Sequence, residues 1–364
     1  MKQILILLYS FLITSCSTTN SAQDDTSTEG LQLKFLDEYI VPENVMVNST
    51  IVGGLSGIDY YNDTYYLVCD DASNPRYYKA TIDISKGEIN GITFNNVIKI
   101  NDNTHFLDLE AIRYNPNSNE IIITSEGNVN RQKDPSLFSV NIEGSINSYF
   151  DIPKEIRATS SQKPRNNGTL EGLSLSHDKK GYWIAMELPL EADGPEPKTT
   201  ETKSPVRITY IDQKTKEPTK QFAYLLDKID KNPLGGFAVN GLTDILEYKN
   251  NHFFIIERSF SSGLGNQGNT IKIYNVDASK TSNTLTNDNL INNDYTPATK
   301  ELLFDFESVR SLLTDNSIDN IEGITFGPIL NNGNKTLLLV TDNNFNKHGK
   351  QLNQFILLEI LTKF

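Results

Sequence analysis

From Leu31 onward the chain is a succession of short apolar runs with polar residues at alternate positions, separated by turn pairs such as Asn-Pro, Asn-Asp and Lys-Gly. A period of two predicts half-buried strands. No segment sustains the 3.6-residue period of a long amphipathic helix, and only a short helix is predicted, around 308–313. The expected elements are antiparallel meanders.

The meanders repeat. Each copy opens on an acidic or small residue, then Gly or Ala, then Leu or Ile: Gly53-Gly54-Leu55, Glu110-Ala111-Ile112, Glu171-Gly172-Leu173, Asn240-Gly241-Leu242 and Glu322-Gly323-Ile324. A turn and a second apolar run follow, ending in acid at Asp71, Glu126, Glu187, Glu257 and Asp342. Two further strands are predicted in the second copy (137–142, 146–152), the third (206–211, 219–226) and the fourth (270–276, 300–306). Four-stranded units repeated about an axis predict an all-β fold, a β-propeller. The last copy offers only three strands, ending at 355–361, and the N-terminal run 31–41 supplies its fourth, closing the ring and removing an open edge. Five blades follow from the count. A sixth, degenerate blade between copies four and five is the alternative.

Within such a blade the first strand starts beside the end of the second. The acids therefore converge on one mouth of the central channel: Asp70, Asp71, Glu110, Glu126, Glu171, Glu187, Glu257, Glu322 and Asp342. So many carboxylates cannot all remain ionised without a neutralising partner, and all-oxygen ligation suits Ca²⁺. Asp71, Glu110, Glu126, Glu187 and Asp342 are the expected metal ligands, and Glu171, Glu257 and Glu322 the expected catalytic acids and bases. The competing reading is that the acids cap turns between blades. Arg76, Arg165, Arg258 and Lys347 lie close to the acids in sequence, and a guanidinium grips phosphate or carboxylate bidentately, so these are the expected substrate-binding residues.

Composition narrows the partners. At 37% hydrophobic and 22% charged, the chain has enough apolar residues to fold. A net charge of −13 speaks against nucleic acid, whose phosphates need clustered Lys and Arg. With 2 Cys and 4 His, neither a thiolate zinc cluster nor a disulfide framework is expected. No Gly-x-Ser-x-Gly elbow and no His-Glu-x-x-His pair occurs. His105 is the one histidine expected at the mouth, and Cys69 is expected as a buried small hydrophobe.

The first residues read as an address. One Lys, an apolar run too short to span a bilayer and small residues ending at Cys16 predict a signal peptide over 1–15. Ile13-Thr14-Ser15-Cys16 resembles a bacterial lipobox, so Cys16 is the expected lipidation site; the alternative is a plain secretory signal with an incidental Cys and a secreted protein. A flexible tether follows over 16–30, then one domain over 31–364. Ser17, which lacks an acidic retention cue, points to the outer membrane. The membrane is met through the lipid alone, and the domain is expected to be monomeric.

Three stretches carry a family resemblance: Arg165-Asn166-Asn167-Gly168-Thr169-Leu170-Glu171-Gly172-Leu173, Phe254-Ile255-Ile256-Glu257-Arg258-Ser259-Phe260, and Asn320-Ile321-Glu322-Gly323-Ile324 with Thr341-Asp342-Asn343-Asn344-Phe345. Over roughly residues 53–358 the chain resembles the phytase-like family described by "esterase-like activity of phytase". The resemblance implies a secreted or envelope-anchored propeller acting on ester or phosphoester bonds. The first and fourth copies depart from it, with Gly53 and Asn240 where the others carry Glu. Two functions follow as expectations: a cation-dependent hydrolase of an anionic small-molecule ester, or a non-catalytic binding propeller with loops 188–205 and 281–296 as its recognition surface.

Overall fold

The computed structural model describes residues 30–362 except 103 and 348. The predicted signal peptide, Cys16, most of the tether and His348 lie outside the described residues. Among the described residues no helix is long and apolar enough to cross a membrane.

Twenty-two strands form five four-stranded antiparallel sheets and one small hairpin. Blade 1 is β4 (Leu55–Tyr61), β5 (Thr64–Cys69), β6 (Arg76–Ser85) and β7 (Glu88–Lys99). Blade 2 is β8 (Leu109–Asn115), β9 (Glu120–Ser125), β10 (Ser136–Val140) and β11 (Ile146–Phe150). Blade 3 is β12 (Leu170–Leu175), β13 (Gly181–Met186), β14 (Ser204–Asp212) and β15 (Pro218–Leu226). Blade 4 is β16 (Ala238–Lys249), β17 (His252–Ser261), β18 (Asn269–Asp277) and β19 (Thr299–Asp305). Blade 5 is β20 (Asn320–Phe326), β21 (Thr336–Asp342) and β22 (Asn353–Thr362), completed on its outside by β1 (Leu31–Val41). The hairpin is β2 (Met46–Val47) with β3 (Thr50–Ile51).

The ring closes as the count of apolar runs requires. β1 pairs with β22 from Leu31↔Thr362 to Val41↔Asn353, so the two ends of the domain share one sheet. The stretch between copies four and five holds no sixth blade: Phe306–Leu312 is a 3₁₀ helix capped by Asp305, close to the predicted short helix. Cys69 is buried and unpaired, its thiol donating to the Gly53 carbonyl, and burial pushes its pKa up.

The inner strands β4, β8, β12, β16 and β20 touch one another in a ring about the axis. Each carries a β-bulge at the repeated motif, between Leu55 and Gly57, Leu109 and Ile112, Leu170 and Gly172, Leu242 and Asp244, and Ile321 and Gly323. The bulge sets a corrected alignment of the copies. Ser56-Gly57-Ile58 and Thr243-Asp244-Ile245 are the true counterparts of Glu110-Ala111-Ile112, three residues later than Gly53 and Asn240. In blades 1 and 5 the small residue is required because the strands nearly touch there, whereas blade 4 places Asp244 at this position. A Cβ on Gly57 would lie 2.9 Å from the Ala111 Cα, and one on Gly323 would lie 2.9 Å from the Gly57 Cα.

One pair of side chains ties all five blades on the axis. Arg113 Nη2 donates to Asp244 Oδ2 at 2.9 Å, with both residues buried. The same guanidinium donates to the carbonyls of Ile58, Ile112, Ile245 and Ile324. Asp244 accepts the backbone N–H groups of Leu173, Ile245 and Ile324. These five residues, one per blade, are the same Ile or Leu of the motif. The bulge leaves their backbone groups facing the axis, and a buried peptide group without a partner is costly. Between blades, apolar residues fill the wedges; Ile112, Ile121, Ile123 and Phe138, for example, pack with Val68 and Tyr77 across the blade 1–blade 2 seam. Each such Ile contributes about 1.5–3 kcal/mol.

Arg113→Met is expected to lower stability by about 3–5 kcal/mol, because Asp244 and three carbonyls from other blades lose their partner while buried. In denaturant melts the midpoint should fall with the slope unchanged. Adding Asp244→Asn should recover part of the loss. An Arg113→Met protein as stable as the parent would disprove the role given to the pair.

Candidate functional site

A cavity of about 1320 Å³ opens at the end of the propeller where the inner strands begin. Its lining includes Asp70, Asp71, Asp108, Glu110, Glu126, Glu171, Glu187, Glu322 and Asp342, with Arg258 and Lys347 among the cations. Eight of the nine acids predicted for the mouth are therefore brought together. The exception is Glu257.

Strand register explains the exception. Leu109 faces Ser125, Leu170 faces Met186, Leu55 faces Cys69, Ile321 faces Thr341 and Leu242 faces Glu257. The next residue turns to the mouth: Glu126, Glu187, Asp70, Asp342 and, in blade 4, Arg258. Side chains alternate along a strand, so Glu257 points away when Arg258 points in. Its carboxylate accepts Tyr224 Oη at 2.5 Å, Lys300 Nζ at 2.6 Å, Asn240 Nδ2 at 2.8 Å and the Asp227 N–H at 2.9 Å. Those bonds occupy both oxygens, and the group serves the packing of blade 4 against blade 3.

The two glycine-containing pairs that imitate the motif, Gly53-Gly54 and Asn240-Gly241, have a separate purpose. A Cβ on Gly54 would lie 2.3 Å from Asp70 Oδ1, and one on Gly241 would lie 2.7 Å from Glu187 Oε1. Gly54 also has φ +62°, which a side chain disfavours. Both make room for rim carboxylates.

The four cationic residues expected to bind substrate separate into two groups. Arg258 lines the cavity, donating to Glu187 Oε1 at 3.0 Å and to Asn320 Oδ1, with Glu322 Oε1 at 3.7 Å. Lys347 also lines it. Arg76 does not, being buried beneath the Phe345 ring and bonded to Asp71, the Asn74 carbonyl and Tyr78 Oη. Arg165 is likewise outside the lining, bonded to the Gly194 carbonyl and paired with Glu196 and Glu191. Asp71 lines the cavity, but Ser73 and Arg76 engage both its oxygens. His105 is outside the lining, bonded to Asp102 and stacked on Tyr149.

Burial and then crowding hold most of the acids toward their neutral forms, Asp71 excepted, whose bonds to Ser73 and Arg76 lower its pKa. Burial and neighbouring carboxylates, Asp70 first, push Asp108 up to about 7. Burial and then Asp108 push Glu126 up to about 8. Glu322 also rises to about 8, mainly through burial, with Arg258 opposing. Glu110, Glu171 and Asp342 stand well above the usual range, for burial first and adjoining acids second. Within this set, ligand oxygens of Asp108, Glu110 and Glu126 lie within 4.8 Å of one another. Glu126 is 5% exposed, and its Oε2 is buried with no hydrogen-bond partner. Three converging carboxylates, one of which carries an unpartnered buried oxygen, are a donor set that fits a hard cation.

Sequence reasoning missed Asp108, although it lies two residues before Glu110 and that spacing was available as a signal. It also missed Arg113 and Asp244, which no local pattern marks.

A family model described as phytase-like, esterase-like activity of phytase, matches residues 50–345. No curated protein matches. Among solved structures the chain is similar to a GH43 β-1,3-galactosidase (7% identity, TM-score 0.46, 89% of this chain and 95% of that one). It is also similar to a GH32 β-fructofuranosidase from Bombyx mori (9%, 0.45, 84% and 60%) and to a DUF4221 family member from Bacteroides vulgatus (12%, 0.39, 93% and 99%).

A pH dependence follows from the raised carboxylates. Glu126 loses its proton near 4.5 in an unfolded chain and near 8 in the folded one. Raised carboxylates of this kind stabilise the fold at low pH, and that contribution drains away as pH climbs to the folded values of about 7 to 8. In chelator, the melting temperature is expected to drop by about 5 °C or more between pH 6 and pH 9. Glu126→Gln should flatten that dependence. A flat profile in the unmodified protein would contradict the crowding described above.

Proposed function

The chain belongs to the phytase-like family, and from that premise we propose that it is a cation-dependent hydrolase of phosphate esters or related anionic esters, working in the acidic cavity. The unpartnered, buried Oε2 of Glu126 beside Asp108 and Glu110 carries this reading. Keeping a buried carboxylate oxygen ionised without a hydrogen bond is expensive unless a cation completes it.

Asp108, Glu110 and Glu126 would hold the ion, with Ca²⁺ the best match to an all-carboxylate set. Bound there, it would polarise the ester and make water a better nucleophile at neutral pH. The chain's own groups supply the rest. Arg258, its guanidinium fixed by Glu187 and Asn320, and Lys347 bind the anionic group of the substrate. Glu171 accepts the proton of the attacking water. It is 8% exposed, and no hydrogen bond from a described residue reaches its carboxylate. Glu322, bonded to Asn320 Nδ2 at 2.8 Å and close to Arg258, positions that guanidinium. The same proposal places the domain at the cell envelope, outer membrane first, on a lipid carried by Cys16.

The test is calcium titration of the purified domain with a panel of phosphomonoester, phosphodiester and carboxyl-ester substrates. Calcium should raise the melting temperature and be required for turnover. Glu126→Gln should abolish the calcium-dependent shift. Glu171→Gln should keep the shift and lower kcat by about 100-fold. Absence of any calcium shift, or of hydrolysis of every ester, would refute the proposal.

A further inference from the structure

The wall of the cavity is not acidic all round. Blades 1, 2, 3 and 5 end their second strands near the mouth, with β5, β9 and β13 of 6 residues and β21 of 7. In blade 4 the inner pair is longer, β16 running 12 residues and β17 running 10. Val239 pairs with Phe260 and Gly241 with Arg258, so the extra length stands outward from Arg258. At about 3.3 Å per residue, Phe260 lies roughly 7 Å beyond Arg258 on the same face of β17. Phe237 continues the same face beyond Val239, its ring 6.3 Å from that of Phe260. Phe237, Val239 and Phe260 all line the cavity.

The extension is built firmly. Ser262 clasps it: its N–H donates to the Phe237 carbonyl at 2.9 Å, its Oγ accepts the Phe237 N–H at 3.0 Å, and its carbonyl accepts the Leu234 and Gly235 N–H groups. A Cβ on Gly263 would lie 2.6 Å from the Gly235 N, so the two loops abut only as glycines. Yet Phe237 remains 58% exposed and Leu234 81% exposed. An aromatic side chain held in water by a rigid clasp, continuous with a polar cavity, is a surface for an apolar group to cover.

We infer that the substrate is amphiphilic, its anionic head seated at Arg258 and the acids and an apolar alcohol portion, aryl or long alkyl, laid against Phe260 and Phe237. This rests on the hydrolase reading for the chemistry but not for the recognition, and the test separates them. Binding of 1-naphthylphosphonate and methylphosphonate, neither of which can be hydrolysed, is measured by calorimetry in calcium, beside hydrolysis of 1-naphthyl phosphate and glycerol 3-phosphate. The naphthyl ligand should bind at least tenfold tighter. Phe237→Ser should weaken it at least fivefold, leave methylphosphonate and the melting temperature unchanged, and raise KM for naphthyl phosphate alone. Naphthyl preference without hydrolysis supports the apolar wall and sinks the enzyme. Hydrolysis with no preference, equal effects of Phe237→Ser on both ligands, or binding of neither overturns the wall. So would a Phe237→Ser effect seen only as reduced adsorption to phospholipid vesicles, which would make the patch a membrane contact.

Discussion

Arg113 and Asp244 occupy the one place where five sheets cannot satisfy themselves. Each inner strand bulges at the axis, and each bulge leaves the backbone of an Ile or Leu unpaired toward the centre. A guanidinium offers five N–H groups in a plane and a carboxylate several acceptor sites, so one ion pair serves every blade. The pair is buried, and its desolvation is offset by the peptide groups that bond Asp244 and both Nη atoms of Arg113, while the Arg113 Nε is buried without a partner. The ring is therefore held by β1 closing its edge and by this pair filling its centre.

The same bulges create the site. An extra residue inserted in the strand re-aims its side chain, and in blades 2, 3 and 5 that residue is glutamate. In blades 1 and 4 it is Ser56 or Thr243, whose hydroxyls bond to the Leu109 and Ile321 carbonyls of neighbouring blades. The acid count at the mouth is thus uneven around the ring, and blade 4 presents Arg258 and aromatic side chains where the others present carboxylates. Burial first and crowding second raise these carboxyl pKa values, and the proposed cation would relieve that electrostatic strain.

The aim of individual side chains was only partly legible. Eight of nine predicted acids reach the cavity because strand ends are marked by turns. Glu257 was misread because it stands one position earlier than the acids of the other blades: its strand pairs as theirs do, Leu242 with Glu257, so the residue that turns inward is Arg258. Gly53-Gly54 and Asn240-Gly241 imitated the motif while serving a different need, clearance for Asp70 and Glu187. Arg76 lies five residues after Asp71 and pairs with it, but is not part of the cavity lining.

What the chain announces by itself is whatever depends on neighbours in sequence. Period-two patterning, turn residues and the recurrence of a motif determined an all-β propeller of five or six blades and the strand that closes it, since burial of one strand face is a local property repeated along the chain. Which residue of a bulge turns inward, and which arginine meets which aspartate across 131 positions of sequence, was decided only when five sheets met at an axis. There the contacts are set by inter-strand register and by the demand that every buried peptide group find a partner, and neither leaves a mark on any single segment.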